Sequence, residues 1–126
     1  TLILLSLAII FSCGENKAKE GFRTSNGNST PNSMEKSLLS EGKNIFEGKG
    51  TCTSCHQHNR KVIGPSLTDI SKIYKENNAN MVSFLKGKGE AIVDPSQYEI
   101  MKTNFAITKN MSDEELKALE AYILSY

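Results

Sequence analysis

The stretch Cys52-Thr53-Ser54-Cys55-His56 decides how the chain is read. Its C-x-x-C-H spacing is that of a covalent c-type haem attachment site. Two thiols three positions apart can each add to one of the two vinyl groups on one porphyrin edge. A histidine directly after the second thiol then falls beneath the iron, where an imidazole nitrogen serves as proximal ligand. Two other chemistries use paired cysteines. A zinc site needs four donors, usually as two clustered pairs, and the remaining candidates are only His58, beside the motif, and Cys13, far upstream. A thioredoxin-like dithiol needs a βαβ context with a helix propagating from the motif. Here the motif is followed by the polar run Gln57-His58-Asn59-Arg60-Lys61.

Upstream, Thr1 to Ser12 (TLILLSLAIIFS) is apolar and uncharged, and shorter than the roughly 20 residues of a membrane-spanning helix. It is expected to be the h-region of an export signal whose charged n-region is missing from the sequence. The segment ends in Ser12-Cys13-Gly14, resembling a bacterial lipoprotein cleavage site in which Cys13 becomes the acylated N-terminus. Phe11 is bulky for that pattern, and an uncleaved anchor or a free thiol in a discarded signal is the alternative. The cysteine count favours acylation: of three cysteines, two go to haem and one is left over. Several acyl chains on one residue anchor far more firmly than one, whose hold is marginal. Residues 13–33, rich in Asn, Ser, Gly and Lys, lack the apolar content to offset ordering entropy, so a flexible tether is expected.

Residues 34–126 form the expected folded domain. They carry twelve basic and twelve acidic side chains, and the whole chain is +1. That balance leaves no phosphate-tracking surface, so nucleic acid is not an expected partner. A first helix is expected from Met34 to about Gly48, with Leu38, Leu39, Ile45 and Phe46 on one stripe. Gly42 lies inside it at a cost of roughly 1 kcal/mol relative to alanine, which close approach by another helix would explain. A second helix is expected over Thr68–Asn77 with Ile70, Ile73 and Tyr74 inward, and a third over Asn80–Lys86 with Met81, Val82, Phe84 and Leu85. Asp94-Pro95 reads as an N-cap with Pro at the first helical position, opening a short turn with Tyr98, Ile100 and Met101. Lys102 to Asn110 reads as irregular. Ser112-Asp113-Glu114-Glu115 is a capping box, and Leu116, Leu119, Tyr122, Ile123 and Tyr126 follow as a buried face. No alternating strand pattern occurs, and the fold class is all-α.

The order of these features resembles the class I cytochromes c: a helix leading into C-x-x-C-H, Gly64-Pro65-Ser66-Leu67 soon after, a methionine tens of residues later, and a closing helix opening on Ser-Asp-Glu-Glu. The resemblance runs from about Ser40 to Tyr126. It implies three to five helices around one haem c bonded through Cys52 and Cys55, and a crossing of first and last helices in which Gly42 and Phe46 fit against Leu119 and Tyr122. It also implies that the carbonyl of Pro65 holds the non-ligating nitrogen of His56; the plain reading of Gly64-Pro65 is a turn.

For the sixth ligand the resemblance leaves Met101 and Met111. Met111 precedes the cap Ser112, with Leu116 four positions into the helix, a hydrophobic-staple position that commits it to packing. Met101 has no such duty and is preferred, although Lys102 stands where the family often has proline. Met81 reads as core, Met34 as a helix-opening residue, and His58 as a surface residue too near His56 to reach the opposite face. Tyr98, Tyr74 and Arg60 could each reach a haem propionate.

With His56 and Met101 on the iron, no site is left for substrate, and thioether ligation raises the potential. The expected function is one-electron transfer between transiently docked redox proteins, by an exported monomer lipid-anchored through Cys13 at the periplasmic or outer membrane face. The alternatives are a haem with a labile sixth ligand that binds peroxide or a gas, and an accessory haem domain of a larger reductase or oxidase.

Overall fold

The computed structural model describes residues 31–126. The apolar segment, Cys13 and the tether up to residue 30 lie outside the described residues. Six helices run in order: α1 Pro31–Glu47, α2 Leu67–Glu76, α3 Met81–Leu85, α4 Tyr98–Lys102, α5 Phe105–Thr108 and α6 Asp113–Leu124. Single 3-10 turns occupy Cys52–Ser54 and Pro95–Gln97. Among the described residues there is no strand, only one isolated bridge between His56 and Lys61. The all-α class therefore stands.

The organising contact is the crossing of α1 and α6. α6 starts where the sequence places it. Ser112 Oγ accepts from the Glu115 backbone N–H at 3.2 Å, and the Ser112 N–H donates to the Glu115 carboxylate at 2.9 Å. Two orphan donors are satisfied reciprocally. Leu116, Leu119, Tyr122 and Ile123 then recur at helical spacing, and all four are buried. On α1 the matching residues are Gly42, Ile45 and Phe46, also buried. A Cβ on Gly42 would stand 2.0 Å from the Ala118 carbonyl oxygen and 2.6 Å from Tyr122 Cβ. The helices meet backbone to backbone there, which accounts for a glycine in a helix interior. Phe46 fills the space beside it, its ring 5.5 Å from that of Tyr122.

α6 also packs against α2 and α3. Ser66 caps α2, accepting from the Asp69 N–H at 3.1 Å, and Asn80 caps α3 through the Ser83 N–H at 2.7 Å. Ser71 on α2 donates to the Leu124 carbonyl at 3.1 Å, tying α2 to the end of α6. Leu67, Tyr74, Met81 and Leu85 bring these helices into the α1–α6 core.

Five expectations are corrected. α1 begins at Pro31, so the tether does not extend to Ser33, and Leu38 is 40 % exposed, at an open groove between the early turns of α1 and the start of α6. The run after Met101 is not irregular throughout. Phe105–Thr108 forms α5, buries Phe105 and Thr108, and bonds Thr108 Oγ1 to the Leu85 carbonyl at 2.6 Å. That short helix brings the number of helices to six. Tyr126 is 39 % exposed, since α6 ends at Leu124 and the last residue leaves its buried stripe. Asp94 does hold the expected N-cap position, with Pro95 opening the Pro95–Gln97 turn, and its carboxylate bonds Lys61 and Ser96 in place of a backbone N–H of that turn.

Candidate functional site

The chain reaches the cysteine motif through a strained turn. Thr51 has φ 52°, a left-handed conformation uncommon for a β-branched residue. Its hydroxyl donates to the Asn104 side-chain oxygen at 3.3 Å, and the Asn104 amide donates to the Gly50 carbonyl at 3.2 Å. The turn is thus held from across the molecule, as strained backbone at a functional site must be. Cys52–Ser54 then forms one 3-10 turn, with the Cys55 and His56 N–H groups both donating to the Cys52 carbonyl, at 3.1 and 2.9 Å. This tight winding brings both thiols and the imidazole to one side of a cleft.

The cleft has a volume of about 270 Å³, many times the roughly 30 Å³ that one water takes up. Cys52, Cys55, His56, Pro65 and Met101 all line it. Leu67, Phe84, Leu85 and Leu119 are among the apolar walls. Its wall also holds Tyr74 and Tyr98 but not Arg60, whose Nε donates to the Gln57 side chain at 2.6 Å. Tyr74 is raised from 10.0 to about 12, by burial first and then by the Glu120 carboxylate, so its hydroxyl stays neutral.

His56 is the most constrained group in the site. Its Nδ1 lies 2.8 Å from the Pro65 carbonyl oxygen, an acceptor, so Nδ1 carries the proton and Nε2 keeps its lone pair. Gly64 packs flat against the ring: a Cβ there would stand 2.4 Å from Cε1. The loop that carries both residues is pinned to the motif, because the Gly64 N–H donates to the Cys55 carbonyl at 2.8 Å and the Leu67 N–H to the Gln57 carbonyl at 2.9 Å. A fixed tautomer with one free nitrogen is what an axial histidine requires.

The thiols fit the same chemistry. Burial pushes Cys52 from 9.0 to about 11, outweighing its backbone hydrogen bond and assisted by the nearby Cys55. Dithiol exchange depends on a depressed cysteine pKa, and Cys52 departs in the opposite direction. A zinc site is short of donors: among the described residues no group of three or more His, Cys, Asp and Glu gathers to hold a metal ion. An apolar cleft, two thiols at its wall and an imidazole with its outer nitrogen tied down fit a haem attached at Cys52 and Cys55.

Met101 and Met111 separate in space. Met101, on α4, is partly buried and lines the cleft. Met111 is 8 % exposed, belongs to the core with Leu116, and is not part of the cleft lining. Met81 is both core and cleft wall, and Met34 is 64 % exposed on α1. His58 lies outside the cleft, its ring stacked 4.9 Å from that of Tyr126, with Nε2 3.4 Å from the Tyr122 hydroxyl. Sequence reasoning missed Gly64 as the floor of the imidazole and Asn104 as the brace of Thr51. The Gly-Pro pair was a signal for the first; nothing in the linear order marks the second.

The cytochrome c family model matches residues 39–126. Cytochrome c-552 of Nitrosomonas europaea is 34 % identical over 77 residues, which cover 61 % of this chain and 71 % of that protein.

Proposed function

Since the chain belongs to the cytochrome c family, whose members carry electrons on haem, we propose that it is a one-electron carrier with a single haem c bonded through Cys52 and Cys55 and axial donors His56 and Met101. The observation that carries this reading is the Nδ1–Pro65 hydrogen bond at 2.8 Å in a cleft that also gathers both cysteines and Met101. When bound, the haem supplies an iron centre that gains and loses one electron. The residues around it keep that exchange free of rearrangement. Pro65 and Gly64 hold the His56 ring in one orientation. Leu67, Leu85 and Leu119 exclude water from the walls. Met101 would be the second protein donor to the iron, leaving no position for a substrate, and a thioether there would favour the reduced state relative to a second imidazole.

Export, acylation at Cys13 and transient docking to redox partners complete the proposal. A lipid at Cys13 would tether the folded head at a membrane surface, and redox encounters of this kind use small interfaces. The test is optical. Haem-loaded protein should keep a peroxidase-stained band on denaturing electrophoresis, and carbon monoxide should leave the reduced spectrum unchanged. Met101→Ala should create a carbon monoxide shift. A colourless gel would remove the thioether links, and a carbon monoxide shift in the parent protein would remove the sixth ligand.

A further inference from the structure

An ion pair joins Lys61, in the loop that follows the cysteine motif, to Asp94 on the cleft wall. Lys61 Nζ donates to Asp94 Oδ2 at 2.6 Å, across 33 residues of sequence. Each end is anchored to a candidate iron ligand. The backbone of Lys61 forms the bridge with His56, and the loop around it is closed by the Val62 N–H on the Gly64 carbonyl and the Gly64 N–H on the Cys55 carbonyl. Asp94 opens the Pro95–Gln97 turn, with the Gln97 N–H donating to the Asp94 carbonyl at 3.1 Å, and that turn runs directly into α4 and Met101. Ser96 Oγ donates to the other carboxylate oxygen at 2.6 Å and fixes its orientation. The side chain of Asp94 is only 17 % exposed against 58 % for Lys61, so the carboxylate is the fixed half and the lysine reaches over to it. α4 buries no residue fully and Ile100 is 50 % exposed; Tyr98 holds it through ring contacts with Phe84 and Phe105, and Asn104 braces its C-terminal end.

We propose that Lys61 and Asp94 act as a clasp that positions Met101 against His56, setting how often the sixth ligand leaves the iron. The proposal rests on Met101 being that ligand. Tyr98 and Asn104 hold α4 at its first residue and at its C-terminal end, and the clasp ties its N-terminal approach to the fixed loop of His56. An entering ligand binds only when Met101 is off, so its apparent affinity scales with the open fraction. A partly exposed ion pair is a weak contact, so its loss changes that fraction by no more than about fivefold.

The experiment titrates ferric haem-loaded protein with imidazole and follows loss of the methionine charge-transfer band. Lys61→Met and Asp94→Asn should each raise the apparent imidazole affinity about threefold to fivefold, while Lys61→Arg and the exchanged pair Lys61→Asp with Asp94→Lys should return it toward the parent value. Amide hydrogen exchange of residues 97–104 should quicken in the first two variants, a readout independent of the iron. An imidazole affinity within twofold of the parent in both single variants, with unchanged exchange, overturns the clasp. Met101→Ala separates this from failure of the ligand assignment: it should bind imidazole far more tightly than any clasp variant. A parent protein that already matches Met101→Ala overturns the assignment itself.

Discussion

Gly64 and the imidazole of His56 are in contact so close that a Cβ on the glycine would lie 2.4 Å from Cε1 and 2.8 Å from Nδ1. The ring cannot tilt toward the loop, and the loop cannot carry a side chain. Gly64→Ala must therefore push the imidazole off its line to the Pro65 carbonyl. The weakened donor should raise the midpoint potential of the haem-loaded protein by tens of millivolts, roughly 59 mV standing for a tenfold change in relative binding of the two iron states. Voltammetry together with paramagnetic resonance of the ferric form measures this, and parent-like values in both would contradict it.

Gly42 makes the same kind of contact with the Ala118 carbonyl, but between helices. Helix propensity alone would make Gly42→Ala stabilising by roughly 1 kcal/mol. The clash reverses that sign, and overpacking of this kind costs about 1–3 kcal/mol or more. Urea unfolding of the haem-loaded variant should show a net loss, with α1 and α6 forced apart; a gain would mean that the crossing is looser than described.

Met101 and Met111 should divide cleanly by phenotype. Met111→Ala removes a side chain that is 8 % exposed in the core, at a cost of roughly 2–5 kcal/mol, and should leave the visible spectrum unchanged. Met101→Ala should change the spectrum and the response to carbon monoxide. Loss of the methionine band in the Met111 variant instead would exchange their roles.

Acid should weaken the start of α6. Glu115 accepts from Lys49 and the Ser112 N–H, which hold its carboxyl below the usual 4.5, and Asp113 is held below 3.8 by Lys86. A carboxyl depressed in the fold contributes its stabilisation above the unfolded value and loses it as pH falls through the folded one. Stability should thus be level from neutrality to about pH 5 and fall below about pH 4. Both side chains are at the surface, so the effect is small and salt-sensitive. Glu115→Gln and Asp113→Asn should flatten that limb in urea midpoints taken across the range.

Legibility in the sequence followed the range of the forces involved. The capping box of α6 was readable because both partners lie within four residues, and the caps of α2 and α3 are equally local. The all-α class followed from apolar spacing. How far along a stripe a neighbour covers it is not local, and that is why Leu38 and Tyr126 read as interior though both are exposed at the surface. α5 was missed for a related reason. Phe105-Ala106-Ile107-Thr108 is too short for its period to register, and it exists because Phe105 and Thr108 are buried, with Thr108 bonded to Leu85.

The sequence by itself determined which residues could carry the chemistry, because thiol spacing and the neighbouring histidine are fixed by covalent geometry within five positions. It also determined the helices whose caps and stripes are written in adjacent residues. Only the tertiary structure decided which methionine lines the cleft, what braces Thr51, and that Lys61 pairs with Asp94 on the cleft wall. Those pairings span tens of residues, and they depend on how α1 and α6 cross, which side-chain volume and a missing Cβ at Gly42 settle in space and not along the chain.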